Sequence, residues 1–240
     1  MHRLLDSVFK SCLALAILGL PQLAAAQQTN KNSEPFTRDF RLEACTFSST
    51  GRNPYFILEP GYRSIFQGEE DGVTVVNTIT VTGRTRRVGK IETRVVEERE
   101  THNGQLVEFS RNYFAICTQN NSVIYFGEEV DLYAGGVIVG HSGSWLAGVN
   151  GAKPGLIMPG IILLGARYFQ EVAPDIALDQ AEIVAMDQVV TTPAGTFKKC
   201  VKTRETTPLE PKALEFKQYA PEIGLVQDDA LLLVQYGFVR

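Results

Sequence analysis

The 240-residue chain holds 23 Lys and Arg against 27 Asp and Glu, a formal net charge of −4, and 44% of its residues are hydrophobic. This mildly acidic balance excludes a nucleic-acid binder, which needs a basic face to neutralise phosphates. The length suits one domain of good size or two small ones.

Met1-His2-Arg3 and Lys10 open the chain with weak positive charge; Cys12–Leu20 is a short apolar run, Pro21 breaks it, and Ala24-Ala25-Ala26 supplies small residues. That order is the plan of a secretory signal peptide over residues 1–26, so the mature chain is expected to start at Gln27. The apolar run is far below the roughly 20 residues that cross a bilayer, and no membrane span is expected. Losing Arg3, Lys10 and Asp6 moves the formal charge from −4 to −5. Residues 27–40 are polar and aperiodic and read as a flexible leader to a single β-rich domain over 41–240. The implied location is the periplasm or the cell exterior. Cys45, Cys117 and Cys200 lie beyond the signal segment, and an oxidising compartment favours one disulfide among them. Three pairings are open; Cys45, just before the first strand-like run, with Cys117, at the end of a long one, is the expected pair, leaving Cys200 free. No C-x-x-C spacing points to a redox motif or a zinc knuckle.

From there the dominant period is two. Thr74–Thr82 is β-branched almost throughout, and in Ile91–Arg99 apolar residues alternate with charges. Asn103-Gly104 follows, a strong hairpin signal, and Leu106–Cys117 is the return strand. Ser122–Tyr133, Val137–His141, Gly195–Thr206, Leu214–Ala220 and Leu231–Val239 continue the series, with turns at 71–72, 119–121, 135–136 and 227–229. The Arg84, Arg86, Arg87 cluster reads as a solvated strand end. Ile176–Asp187 fits a short amphipathic helix, which Asp175 could cap, or an imperfect strand; the strand-like run after it favours the strand. Strands joined by tight turns pair with their neighbours, so the fold class expected is mainly β: a long-stranded antiparallel meander, curled as a single sheet or an open barrel. Residues 143–166 are rich in Gly and Pro yet carry Leu156, Ile157, Met158, Ile161, Ile162, Leu163 and Leu164. They read as a long ordered loop over the sheet, either a plug or a lid. Trp145, Leu156, Ile157, Met158 and Ile161, with Tyr125 and Phe126, are the candidate residues for an apolar small molecule or lipid.

Other chemistry is weaker. Gly140-His141-Ser142-Gly143-Ser144 misses the nucleophile elbow G-x-S-x-G by one residue, a poor helix follows it, and no His lies downstream of Ser142. Glu128 could act with Glu171 or Asp175 as a glycosidase pair, although a solvated strand end is the simpler reading. Glu129 and Asp131, at alternate positions, are weak candidates for Ca²⁺, while His102 and His141 lack partners for a transition metal. No cofactor is implied.

Several stretches resemble a family of uncharacterised exported bacterial proteins: Asn53-Pro54-Tyr55-Phe56-x-Leu58-x-Pro60-Gly61-Tyr62, Tyr125-Phe126-Gly127-Glu128-Glu129-Val130-Asp131, Gly143-Ser144-Trp145-x-Ala147-Gly148-x-x-Gly151-Ala152, Thr192-Pro193-Ala194-Gly195-Thr196-Phe197 and Tyr219-Ala220-Pro221-Glu222-Ile223-Gly224-Leu225-Val226. The resemblance spans residues 53–226 in order and implies an exported β-sheet protein, with no activity or catalytic residue to carry over. At fold level the meander is similar to the curled half-barrel sheets of lipoprotein carriers. The function expected is non-catalytic binding of an apolar small molecule or lipid; the alternatives are a structural or interaction module of the cell envelope and, less favoured, a hydrolase.

Overall fold

The computed structural model describes residues 35–239; the signal segment 1–26 and most of the leader lie outside the described residues. After a 3₁₀ turn at Leu42–Ala44 the chain is built from strands: β1 (Phe47–Ser48), β2 (Arg52–Asn53), β3 (Phe56–Ile57), β4 (Tyr62–Glu70), β5 (Val73–Val88), β6 (Ile91–His102), β7 (Gln105–Cys117), β8 (Ser122–Ala134), β9 (Val137–Gly140), β10 (Trp145–Leu146), β11 (Lys153–Met158), β12 (Arg167–Phe169), β13 (Glu171–Val172), β14 (Gln180–Thr192), β15 (Gly195–Thr207), β16 (Glu210–Ala220), β17 (Gly224–Asp228) and β18 (Leu231–Phe238). The β6–β7 hairpin turns through Asn103 (φ 48°) and Gly104 (φ 81°), and β4–β5 through Asp71 (φ 49°) and Gly72 (φ 79°). Two successive left-handed residues match the twist of the flanking strands, which is why Asn-Gly and Asp-Gly sit there.

Sixteen strands form one sheet whose main path runs β12-β14-β15-β16-β17-β18-β4-β5-β6-β7-β8-β11-β13, and every strand pair in it is antiparallel. The path curls until its two ends approach, giving a nearly closed barrel with one unsealed seam. At that seam the single run Arg167–Val172 serves both ends: its first half pairs with β14 and its second with β11. Gly155 of β11 passes so close to the seam that a Cβ there would lie 2.3 Å from the carbonyl oxygen of Gln170.

The antiparallel, curled sheet matches the sequence expectation. Strands β1, β2, β3, β4, β12, β13 and β17 add to the expected set, and β14 covers most of 176–187. Asp175 adopts a left-handed conformation (φ 62°) in a turn rather than capping a helix. The run 143–166 is a long connection, but it contributes β10 and β11 to the sheet by pairing with β8; only its later part passes outside as loop.

Apolar packing occupies both faces. Phe66, Val75, Val190, Cys200, Ala220, Val226, Leu231 and Leu233 come from seven consecutive strands of the sheet path, β14 to β5, and pack into one cluster. Val88, Val95, Tyr113, Ala115, Ile124 and Phe126 form a second cluster, against which Leu42, Phe47, Leu146 and Ala147 pack. The disulfide between Cys45 and Cys117 pins the segment carrying Leu42 and Phe47 to the end of β7, and Cys200 is free and buried. The bridge links residues 72 apart in sequence, a loop long enough to stabilise the fold by about 4 kcal/mol through the unfolded chain. Urea unfolding of Cys45→Ser is expected to show a loss of about that size, with Cys117→Ser equivalent.

Candidate functional site

Along β15 and β16 the alternation places Thr203 and Glu205 on one face, opposite Lys217 and Glu215, and Lys217 stands opposite Asp228 of β17. That face is the interior one, shared with Val201, Ile183 and Tyr168. Lys217 Nζ lies 3.1 Å from Glu205 and 3.8 Å from Asp228, with all three side chains within 7% of full burial. The other Glu205 oxygen accepts from Gln170 Nε2 (3.2 Å) and the Thr203 hydroxyl (3.1 Å). Burial works against the Lys217 ammonium, but Asp228, Glu205 and Glu215 outweigh it and hold its pKa well above the ordinary value.

A second polar group sits on the same interior surface. A bulge between β7 and β8 sets Phe114 opposite Tyr125 and Asn112 opposite Glu128. Tyr125 and Glu128, three residues apart, would point to opposite faces of a regular strand; the bulge at Gly127 (φ 142°) turns both inward. The Tyr125 hydroxyl donates to Asn112 Oδ1 (2.6 Å), whose amide donates to Ser110. Trp145 stands cross-strand from Glu128 and meets Tyr125 edge to face at 5.1 Å. Glu171 follows from β13, accepting the backbone N–H of Asp179 at 2.8 Å. Burial lifts the Glu128 carboxyl to about 8. It lifts Glu171 and Asp179 as well, and the negative neighbours Asp179 and Glu128 add to the rise at Glu171.

Four interior atoms have no hydrogen-bond partner among the described residues: Trp145 Nε1, Tyr168 OH, Gln170 Oε1 and Asn77 Oδ1. Burial and the nearby Glu205 charge both push the Tyr168 hydroxyl pKa up. Beside Trp145 lies a cavity of about 70 Å³, walled by Leu146, Val149, Ala152, Ala173, Pro174 and Ile176 together with the polar Ser144 and Asn150.

The structure brings some of the expected residues together and separates others. Trp145 and Tyr125 touch. Phe126 turns to the opposite face and packs on Phe47 at 5.4 Å. Ile157 and Met158 are buried as strand residues, Leu156 is half-buried between two clusters, and Ile161 is 73% exposed. Glu128 is buried, correcting the solvated strand end, because the bulge turns it inward. Its proposed partner Glu171 is also interior, whereas Asp175 is exposed. Glu129 and Asp131 face outward in a ladder with Arg86, Arg111 and His141. Among the described residues no three His, Cys, Asp or Glu side chains gather as a metal would require. Ser142 is exposed in a turn, and His141 is directed to Asp131 and to the Val130 carbonyl. Lys217, Glu205, Asp228, Asp179, Tyr168 and Gln170 escaped the sequence reading; the one available signal was a charge at inward positions of otherwise alternating strands.

Two consequences are measurable. Lys217→Met leaves the Glu205 and Asp228 charges uncompensated in a buried site, so urea unfolding should show a loss of about 3–5 kcal/mol. Glu128 acts with the opposite sign to an ordinary carboxylate. Between about pH 4.5 and 8 the unfolded chain releases this proton while the folded chain keeps it, so stability falls as pH rises, by up to about 1.4 kcal/mol per pH unit. Glu128→Gln should make that fall shallower, with Glu171 and Asp179 supplying what remains.

No family model and no curated protein matches the chain. The crystal structure of a candidate lipoprotein from Parabacteroides distasonis is similar to it at 13% identity, over 74% of this chain and 95% of that one, with a TM-score of 0.36. A likeness this distant carries no argument, and the functional reading rests on this chain's own residues.

Proposed function

We propose that the protein is an exported binding protein that holds a small molecule inside its barrel. The observation that carries this is the set of buried interior polar atoms, Trp145 Nε1, Tyr168 OH and Gln170 Oε1, without protein partners. A buried polar group left unpaired costs about 1–3 kcal/mol, and native interiors hold few of them. A bound molecule offering acceptors and donors would satisfy all three. Barrel size supports the reading. With β12 and β13 counted as one run, twelve strand positions surround the interior, whereas about eight already suffice for side chains to fill one.

Binding is favoured over catalysis by the state of the paired carboxyls. A glycosidase pair needs one carboxylate ionised and one protonated, yet burial raises the pKa of both Glu128 and Glu171. The signal-like start and the Cys45–Cys117 disulfide support export. The ligand is amphipathic on this reading, because Trp145, Tyr125 and the interior apolar clusters adjoin the polar groups; a wholly apolar ligand would leave those groups unpaired.

Native mass spectrometry of protein purified after export from its host is expected to show a species heavier than the bare polypeptide. Bare polypeptide mass alone, with an empty organic and aqueous extract, would sink the reading. Tyr168→Phe separates function from structure: removing an unpartnered hydroxyl should leave stability unchanged or about 1 kcal/mol higher, while the fraction of protein retaining the molecule drops.

A further inference from the structure

On the binding reading above, Trp145 Nε1 awaits an acceptor from a guest, and the cavity beside it narrows the group that brings one. Trp145 is 5% exposed and lies with the buried Ala152 and Ala173 at the cavity's floor. Val149, Asn150 and Pro174 are exposed at its rim, so one end of a larger molecule can enter there. None of the nine lining residues carries an ionisable side chain. A charged end would lose its water and find no counter-charge, so the entering group is neutral. The polar atoms at hand are donors. The indole can only donate, and its N–H has no acceptor. Ser144 Oγ already accepts the Val130 N–H at 2.9 Å, which leaves its hydroxyl proton as a second donor. The guest must therefore bring an acceptor oxygen, with carbon to lie against Leu146, Ala173 and Ile176. Water suits this place poorly, because it needs two to four polar partners and mainly apolar cavities stay dry. Size sets the scale. At about 70 Å³ the cavity is roughly half of the ~150 Å³ that admits benzene, so a group of about three or four heavy atoms fits.

We infer that the cavity beside Trp145 receives a neutral acetyl group, its carbonyl oxygen accepting from the indole N–H and its methyl packed against Ala173 and Ile176. A carboxylate would bring an unpaired charge, and a purely hydrocarbon end would leave the indole N–H without an acceptor. The same group occurs on N-acetylated amino sugars and on N-acetylated amino acids and peptides.

Trp145 is the chain's sole tryptophan, so its emission reports on this site directly. The protein, purified after export and stripped of any bound molecule, would be titrated with N-acetylglucosamine against glucosamine and glucose. A second arm compares N-acetylalanine amide with alanine amide. A saturable change with an acetylated probe, about tenfold or more tighter than with its unacetylated partners, supports the inference. Response in the first arm alone points to an amino-sugar source, in the second alone to an amino-acid or peptide source, and in both to the acetyl group by itself. Trp145→Phe removes the donor and keeps an aromatic wall; ligand-observed NMR should show binding weakened by about tenfold. Ala152→Leu, checked for cooperative unfolding, fills the cavity while keeping the indole, and should abolish the emission change. Equal response to the unacetylated partners, silence in both arms, or undiminished binding by Trp145→Phe would overturn it. A molecule without an acetyl group found bound by mass spectrometry would also overturn it while leaving the binding function standing.

Discussion

A sheet has two edges, and each edge is a row of backbone donors and acceptors that must find partners. In this protein that requirement converges on six residues. Arg167–Val172 is too short to be a structural element of much weight, yet its two halves pair with strands at opposite ends of the sheet path. Gly155 permits the close approach this needs, since any side chain there would collide with the Gln170 carbonyl. Once the ends are brought together, one face of every strand becomes interior, and the chemistry of that face follows.

The interior so made is unusual in its charge. Small barrels fill their centres with apolar side chains, and apolar packing does occupy part of this one. Elsewhere the inward positions carry Glu128, Glu171, Glu205, Lys217 and Asp228, all buried. Lys217 is held charged by its neighbours, and the carboxyls nearer Trp145 are driven toward their protonated forms. Buried ion pairs and buried carboxyls are weak devices for stability, so stability alone is a poor reason for this many buried charges.

Much of the scaffold was legible in the residues. Period-two alternation, the Asn103-Gly104 hairpin and the positions of Cys45 and Cys117 beside strand-like runs led to an antiparallel curled sheet with that disulfide as the expected one of three pairings. The site was legible only in part. Trp145 and Tyr125 were singled out as aromatic residues near a greasy run, and they do meet. Ile161 was chosen for the same greasiness and points to solvent. The strands β12 and β13 were invisible because three residues and two residues are too few to show a period.

What the sequence by itself determined was local: where most of the long strands run and where the chain reverses. These follow from backbone preferences and side-chain alternation, which act over a few residues. Only the tertiary structure decided which face is inside. Alternation divides a strand into two faces without saying which is interior, and here both faces are partly apolar. The bulge at Gly127 then breaks the alternation, so Tyr125 and Glu128 share the interior while Phe126 and Glu129 look outward. Closure of the sheet brings Glu171 and Gln170 to that interior from more than forty positions along the chain, a juxtaposition that no local pattern encodes.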